Sequence, residues 1–270
     1  MPIKKLYIPD FIIIGANKAA TTSVSNYLNR HHKIKISDVK EPMFFSTQPT
    51  MQSSGRTNAT LDRPFFALTL DEYSTLLTPE TVDEDLLLGE ASTSYLACPF
   101  VSAPLMRKIV PDIKLIAILR SPIERAVSAY KMYVGNNLEE RPFSEIVENA
   151  NSELTVLKTG HGGKEYIRNG LYAQLLKPYI NFFEKKQLLL LNYDELKNDP
   201  GLFMKKIFEF LEVDEINIDF ENKFNTAEDN LKGKKVEILK EDLDRLKELY
   251  TPEVLELAKI VPFNVKKWIN

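Results

Sequence analysis

Residues 11–23, FIIIGANKAATTS, restrict the fold more than any other stretch. Four apolar residues run into a glycine, a lysine and a cluster of hydroxyls. A buried strand that turns sharply into a helix is written this way. Gly15 permits the tight turn. Backbone N–H groups at 18–22 would then point into the loop at a helix N-terminus, where an anion is held without a metal. Lys18 adds charge, and Thr21 and Thr22 add donors. The same residues also suit an ordinary strand–helix turn with Thr as the N-cap. A nucleotide-triphosphate loop would carry Gly-Lys-Ser/Thr at its end, and here Lys18 precedes the first Thr by three residues.

More strand-like runs follow at 33–37, 85–90, 113–120 and 187–196. Helical patterns lie between and after them, at 21–31, 102–109, 122–134, 143–150, 166–184, 201–212 and 238–260, the last two with breaks. Pro178 is expected to kink the 166–184 helix. Strands alternating with helices predict an α/β fold, a central mostly parallel sheet flanked by helices, with ligands at the carboxyl ends of the strands. The polar, turn-rich stretch 46–80 reads as an insertion over that edge. No repeat or linker divides residues 1–270, which read as a single domain.

Hydrophobic residues make up 44% and charged residues 27%, with a net charge of −3. This is an ordinary globular composition, and it argues against a general nucleic-acid binder. The one cysteine, Cys98, excludes an internal disulfide and a Cys-rich zinc site. No apolar run is long enough to be a transmembrane segment, so with Met1 as the natural start a cytoplasmic protein is expected. Composition sets no oligomeric state.

The second informative stretch is ILRSPIERAVSAYKMY, residues 118–133. Ser121, Pro122 and Glu124 read as a capping box with Pro in the first turn. Where a Mg²⁺-dependent ATPase strand ends in Asp, this strand ends in Arg120. Arg120 and Ser128 therefore offer a second, metal-free anion site, although a structural salt bridge and a surface serine would leave the same trace. Two anion sites on one sheet suggest a nucleotide with two separate phosphates.

With these motifs in place, the chain resembles the carbohydrate sulfotransferases, most closely the heparan-sulfate-type branch and its bacterial relatives. IIIGANKAATTS is similar to the family loop for the 5′-phosphosulfate of 3′-phosphoadenosine 5′-phosphosulfate (PAPS), and LRSPIERAVSAY to its loop for the 3′-phosphate. KEPMFFS (40–46), GEASTSYL (89–96), residues 170–200 and NLKGKKV (230–236) follow in the family order. The resemblance implies a P-loop-like sulfotransferase fold and a PAPS-dependent enzyme with no metal requirement. Its acceptor would be a hydroxyl, or an amine, of a glycan or glycolipid. By resemblance Lys18 stabilises the bridging oxygen and Glu41 is the general base, although Glu41 before Pro42 also suits a turn cap. Lys18, Ala19, Ala20, Thr21 and Thr22 would hold the 5′-phosphate, and Arg120 and Ser128 the 3′-phosphate. Tyr172 would line the nucleotide pocket, unless it is core. Lys232, Gly233 and Lys234 would clamp the nucleotide in a closing segment, 225–270, that also carries the C-terminal helices. The insertion 46–80 would lie near the acceptor. His31, His32 and Trp268 read as structural; His161 is a remote acceptor candidate.

Two departures from the family pattern stand out. Ala19 and Ala20 occupy positions where the family has Gly-Gly or Thr-Gly, and Ala91 replaces a lysine. The second argues against a highly sulfated acceptor. A non-catalytic nucleotide-binding module and a P-loop-type kinase are the competing readings.

Overall fold

The computed structural model describes residues 6–46, 69–79, 85–150, 165–220, 231 and 233–270. Among these, five parallel strands form the sheet: β1 (Phe11–Gly15), β2 (Ile34–Ile36), β3 (Leu87–Ala91), β4 (Lys114–Leu119) and β5 (Leu188–Asn192). Their spatial order is β2-β3-β1-β4-β5. From β1 in the middle the chain passes to the edge at β2, returns to fill the gap with β3, then crosses to build β4 and β5 outward on the other side. Strand β1 pairs with β3 on one side (Ile12 opposite Glu90) and with β4 on the other (Ile12 opposite Leu115). All five residues of β1 are buried, as are the last five of β4. Continuous apolar runs, rather than alternating ones, mark strands covered on both faces.

Helices among the described residues include α1 (Thr21–Leu28), α2 (Leu70–Leu76), α3 (Ser94–Ala97), α4 (Pro99–Ile109), α5 (Pro122–Gly135), α6 (Phe143–Glu148), α7 (Tyr172–Phe182), α8 (Tyr193–Asn198), α9 (Pro200–Leu211) and α10 (Lys240–Leu257). One continuous apolar core joins them to the sheet. At Gly89 the Phe11 ring lies so close that an added Cβ would come within 2.2 Å of it. Only glycine fits there.

Several expectations change. The run 187–196 is a strand only to Asn192; α8 starts at Tyr193, where the Asn192 side chain accepts from the Asp194 N–H and caps the new helix. The helix expected over 166–184 is confined to α7, preceded by a 3₁₀ turn at Arg168–Gly170. Helices α9 and α10 run unbroken, with Pro200 at the start of one and Pro252 inside the other. Ser121 sits at the N-cap of α5 but makes no side-chain cap bond. Glu124 pairs with Arg120 instead, so the charged bond replaces the capping box. Most of the 46–80 insertion lies outside the described residues. Its described end is not peripheral: Tyr73 of α2 is completely buried in the core. Among the described residues no helix is long and apolar enough to cross a membrane.

Candidate active site

A cleft of ≈ 950 Å³ opens along the carboxyl edge of the sheet. Residues just beyond every one of the five strands line it: Lys18 after β1, Glu41 after β2, Thr93 after β3, Arg120 after β4 and Tyr193 after β5. Strand β1, where the order of chain growth reverses, lies at the centre of the sheet. Open α/β sheets place ligands at such a crossover.

The β1–α1 turn gathers a cation and an uncapped helix start. Lys18 and Ala20 both have left-handed backbones, at φ 69° and 61°. Ala20 is the N-cap of α1 and has no side chain with which to cap it. The first-turn N–H groups therefore lack the usual Thr or Ser cap, and Thr21 and Thr22 face the cleft wall. Lys18 Nζ lies 3.5 Å from the Met132 sulfur. Burial, then the nearby charges of Arg120, Lys40 and Arg125, push its pKa down to about 8. A buried lysine depressed by neighbouring cations in this way favours an anionic ligand.

Arg120 closes the other wall. Its Nε and one terminal nitrogen donate to Glu124 Oε2 at 3.1 and 3.0 Å, and the other terminal nitrogen donates to the Lys18 carbonyl at 3.2 Å. The guanidinium lies 4.8 Å from the Tyr193 ring centre. The two turns are thus tied directly to each other. Ser128 is buried in the wall on α5, with Glu124, Lys131 and Met132 on the same face. Glu41 stands on the β2 side with φ 52°, and Thr93 Oγ1 lies 3.4 Å from its Oε1.

The structure therefore brings Lys18, Ala20, Thr21, Thr22, Glu41, Arg120 and Ser128 to one cleft. The remaining expected residues sit elsewhere. Ala19 is fully buried in the core, and its N–H is already bonded to the Ala16 carbonyl at 3.2 Å. Its methyl therefore cannot obstruct the cleft. Tyr172 is also buried, edge-on to Trp268 with ring centres 6.5 Å apart, so it packs behind the site rather than lining it. Lys234 donates to the Val134 carbonyl at 2.8 Å and to Asn137, which tethers it to the end of α5. Gly233 has φ 82° and nothing within 4 Å of a would-be Cβ. Lys232 and His161 lie outside the described residues. His31 is structural as expected: its Nδ1 accepts from the Lys33 N–H, so Nε2 donates to the Asp214 carbonyl.

Sequence reasoning missed Asn17, Lys40, Thr93, Lys131 and Tyr193 in the wall. A signal existed for Lys131, which follows Ser128 by three residues and so shares its helix face. Tyr193 carried none, because it read as the tail of a strand.

The sulfotransferase domain family matches residues 8–247. Human carbohydrate sulfotransferase 15 is 24% identical over 247 residues, covering 76% of this chain and 44% of its own. Mouse heparan sulfate glucosamine 3-O-sulfotransferase 3A1 is 26% identical over 218 residues, covering 81% and 49%. The chain thus spans about half the length of the curated relatives it matches. Among solved structures, a sulfotransferase from Alicyclobacillus acidocaldarius superposes with a TM-score of 0.79 at 26% identity, over 98% of this chain and all of that one. Mouse sulfotransferase SULT7A1, complexed with PAP, shares the fold at a TM-score of 0.55 and 16% identity, over 96% and 88%. With a cleft lined from all five strand ends and a family match spanning nearly the whole chain, this protein belongs to the sulfotransferase domain family.

Proposed function

We propose that the protein moves a sulfuryl group from PAPS to a hydroxyl of a glycan or glycolipid. One observation carries this reading: the cations of β1 and β4 and the carboxylate beyond β2 face the same cleft. The PAP in the SULT7A1 complex and the glycan named for the heparan sulfate relative support it.

The residues present fit such a donor. The uncapped start of α1, with Lys18, Thr21 and Thr22, suits the 5′-phosphosulfate. Arg120 and Ser128 suit the 3′-phosphate, since the guanidinium fork can make paired hydrogen bonds to it. When bound, the donor supplies a sulfuryl group activated by its phosphate leaving group. Lys18 holds its proton beside the bridging oxygen and stabilises the charge that grows there. Glu41 takes the proton of the attacking hydroxyl as the new sulfur–oxygen bond forms and the bridging bond breaks. Positioning between fixed charges supplies most of the rate.

Calorimetry in EDTA tests the donor site. Adenosine 3′,5′-bisphosphate should bind much more tightly than AMP; equal affinities would overturn the two-anion reading. A panel of unsulfated heparosan and chondroitin oligosaccharides and a galactosylceramide, offered with ³⁵S-labelled donor, tests the acceptor class. Transfer to none of them would remove glycan sulfation.

A further inference from the structure

Glu90 lies wholly inside the protein. Three hydroxyls surround its carboxyl group. Tyr73 and Tyr95 donate to Oε1 at 2.7 and 2.5 Å, and Ser92 donates to Oε2 at 2.6 Å. A carboxylate only accepts, so three O–H donors match its ionised form. Burial nonetheless pushes its pKa up to about 7, with the nearby Glu41 charge adding to the rise. An acid held at this cost needs a reason.

Each of its three partners also touches residues 43–46. The Ser92 oxygen accepts the Met43 N–H at 3.1 Å. The Tyr73 ring stacks on Phe44, centres 4.5 Å apart and planes 9° apart. Phe45 meets both Tyr73 and Tyr95 edge-on, each at 5.6 Å. Ser46 and Ser94 share a hydrogen bond of 2.8 Å just beyond. This segment directly follows Glu41. Glu41 and Met43 have left-handed backbones, φ 52° and 59°, on either side of Pro42. Such a conformation costs a non-glycine residue about 1–2 kcal/mol and persists only where its surroundings hold it. The Glu90 hub supplies that hold from two directions: from β3 through Ser92 and from α2 through Tyr73.

We propose that Glu90 is a positioning residue for Glu41, acting through Ser92, Tyr73 and Tyr95 to fix the turn that presents the Glu41 carboxylate to the cleft. The proposal rests on Glu41 being the proton acceptor. Glu90 itself never meets the substrate.

The test uses Ser92→Ala and Glu90→Gln, each alone and combined with Glu41→Gln, in the full chain. Turnover is read as labelled sulfate passed to water or to the oligosaccharide panel. Affinity for adenosine 3′,5′-bisphosphate and hydrogen exchange at the Met43 amide are read beside it. Glu41→Gln should lower turnover by roughly 10²–10⁴, the usual contribution of a general base. Ser92→Ala should lower it about tenfold, speed Met43 exchange and leave nucleotide affinity unchanged. Added to Glu41→Gln, it should cost less than about twofold more, because residues that act as one unit are strongly non-additive. Glu90→Gln should behave likewise; should it not fold, Ser92→Ala still decides. A full further loss in the Glu41→Gln background, or unchanged Met43 exchange, would overturn the positioning role. If Glu41→Gln lowers turnover and Ser92→Ala does not, the inference fails alone. If Glu41→Gln itself turns over normally, the assignment of the base fails and takes the inference with it.

Discussion

Two turns contribute to the cleft wall, and they have the same backbone pattern. After β1, Lys18 and Ala20 are left-handed; after β2, Glu41 and Met43 are. Each pair is two residues apart, and each begins with a group that the proposed mechanism uses. What holds them differs. The β1 turn is held largely by main chain: Ala16 N–H bonds the Ile118 carbonyl at 2.8 Å, Ala19 N–H closes on Ala16, and Arg120 grips the Lys18 carbonyl. No side chain caps the start of α1 that follows it. The β2 turn is held by side chains, through Ser92 and the rings around Glu90. A turn that must offer N–H groups to an anion is best fixed through groups other than those N–H donors. A turn that must present one carboxylate is free to be clamped by a packed core.

The largest expected effect tests the β1 side. Arg120→Ala should weaken adenosine 3′,5′-bisphosphate binding by about 2–5 kcal/mol, the range for truncating a hydrogen-bonded charge pair. AMP binding should change little, because in the proposed mode Arg120 contacts the 3′-phosphate, which AMP lacks. Calorimetry on both nucleotides separates the cases. An equal loss on both would mean that Arg120 works through its bond to the Lys18 carbonyl, holding the turn rather than the ligand. The comparison would then break, since both turns would depend on side-chain clamps.

The two turns were unequally legible in the sequence. FIIIGANKAATTS shows its strand, its turn and its helix in thirteen contiguous residues, because main-chain geometry and local residue types determine it. KEPMFFS shows Glu41 only by family likeness. The residues that hold it come from elsewhere: Glu90, Ser92 and Tyr95 from GEASTSYL, and Tyr73 from a stretch that reads as a polar insertion. A tyrosine whose ring is core and whose hydroxyl meets a buried acid has no period or spacing to betray it. The same blindness explains Tyr172, which packs in the core edge-on to Trp268, nearly a hundred positions later. It also explains Glu124, which local rules assign to a cap and the structure assigns to Arg120. The strands were the easiest part, since full burial on both faces leaves an unbroken apolar run.

A second expectation is that the two sides respond to pH differently. Burial raises Glu90 from 4.5 to about 7. The folded state then holds a proton that the unfolded state has lost between those values. The contribution of Glu90 to stability is thus fully present below about pH 4.5 and disappears as pH rises to about 7. The shift corresponds to about 3 kcal/mol. Denaturant unfolding of the wild type and Glu90→Gln across pH 4–8 should show their stability difference moving by that order, against the wild type as pH rises. Lys18 shifts down to about 8 for the same first cause, burial. Its consequence appears in binding: affinity for adenosine 3′,5′-bisphosphate should fall above about pH 8 as Lys18 loses its proton. A flat stability difference between the two proteins would mean that Glu90 titrates alike in the folded and unfolded states, and that the three hydroxyls solvate it as well as water does.

The smallest expected effect concerns Ala19 and Ala20, neighbours with opposite demands. Ala20 has φ 61° and ψ 25°, a conformation that costs an alanine roughly 1–2 kcal/mol and a glycine almost nothing. Ala20→Gly removes that strain but adds about 0.4–1 kcal/mol of unfolded-chain entropy. The net should be a stabilisation of about 0.5–1 kcal/mol, a rise of roughly 1–4 °C in Tm for a chain of this size. Ala19 is absent from the left-handed residues and its methyl is wholly inside the core. Ala19→Gly loses that packing and adds the same entropy, so it should destabilise by about 1 kcal/mol or more. Thermal unfolding of the two single variants reads opposite signs from adjacent positions. Two losses would mean that the Ala20 methyl, half-buried against the core, contributes more than its backbone strain costs. The β1 turn would then be held by side-chain packing after all, as the β2 turn is.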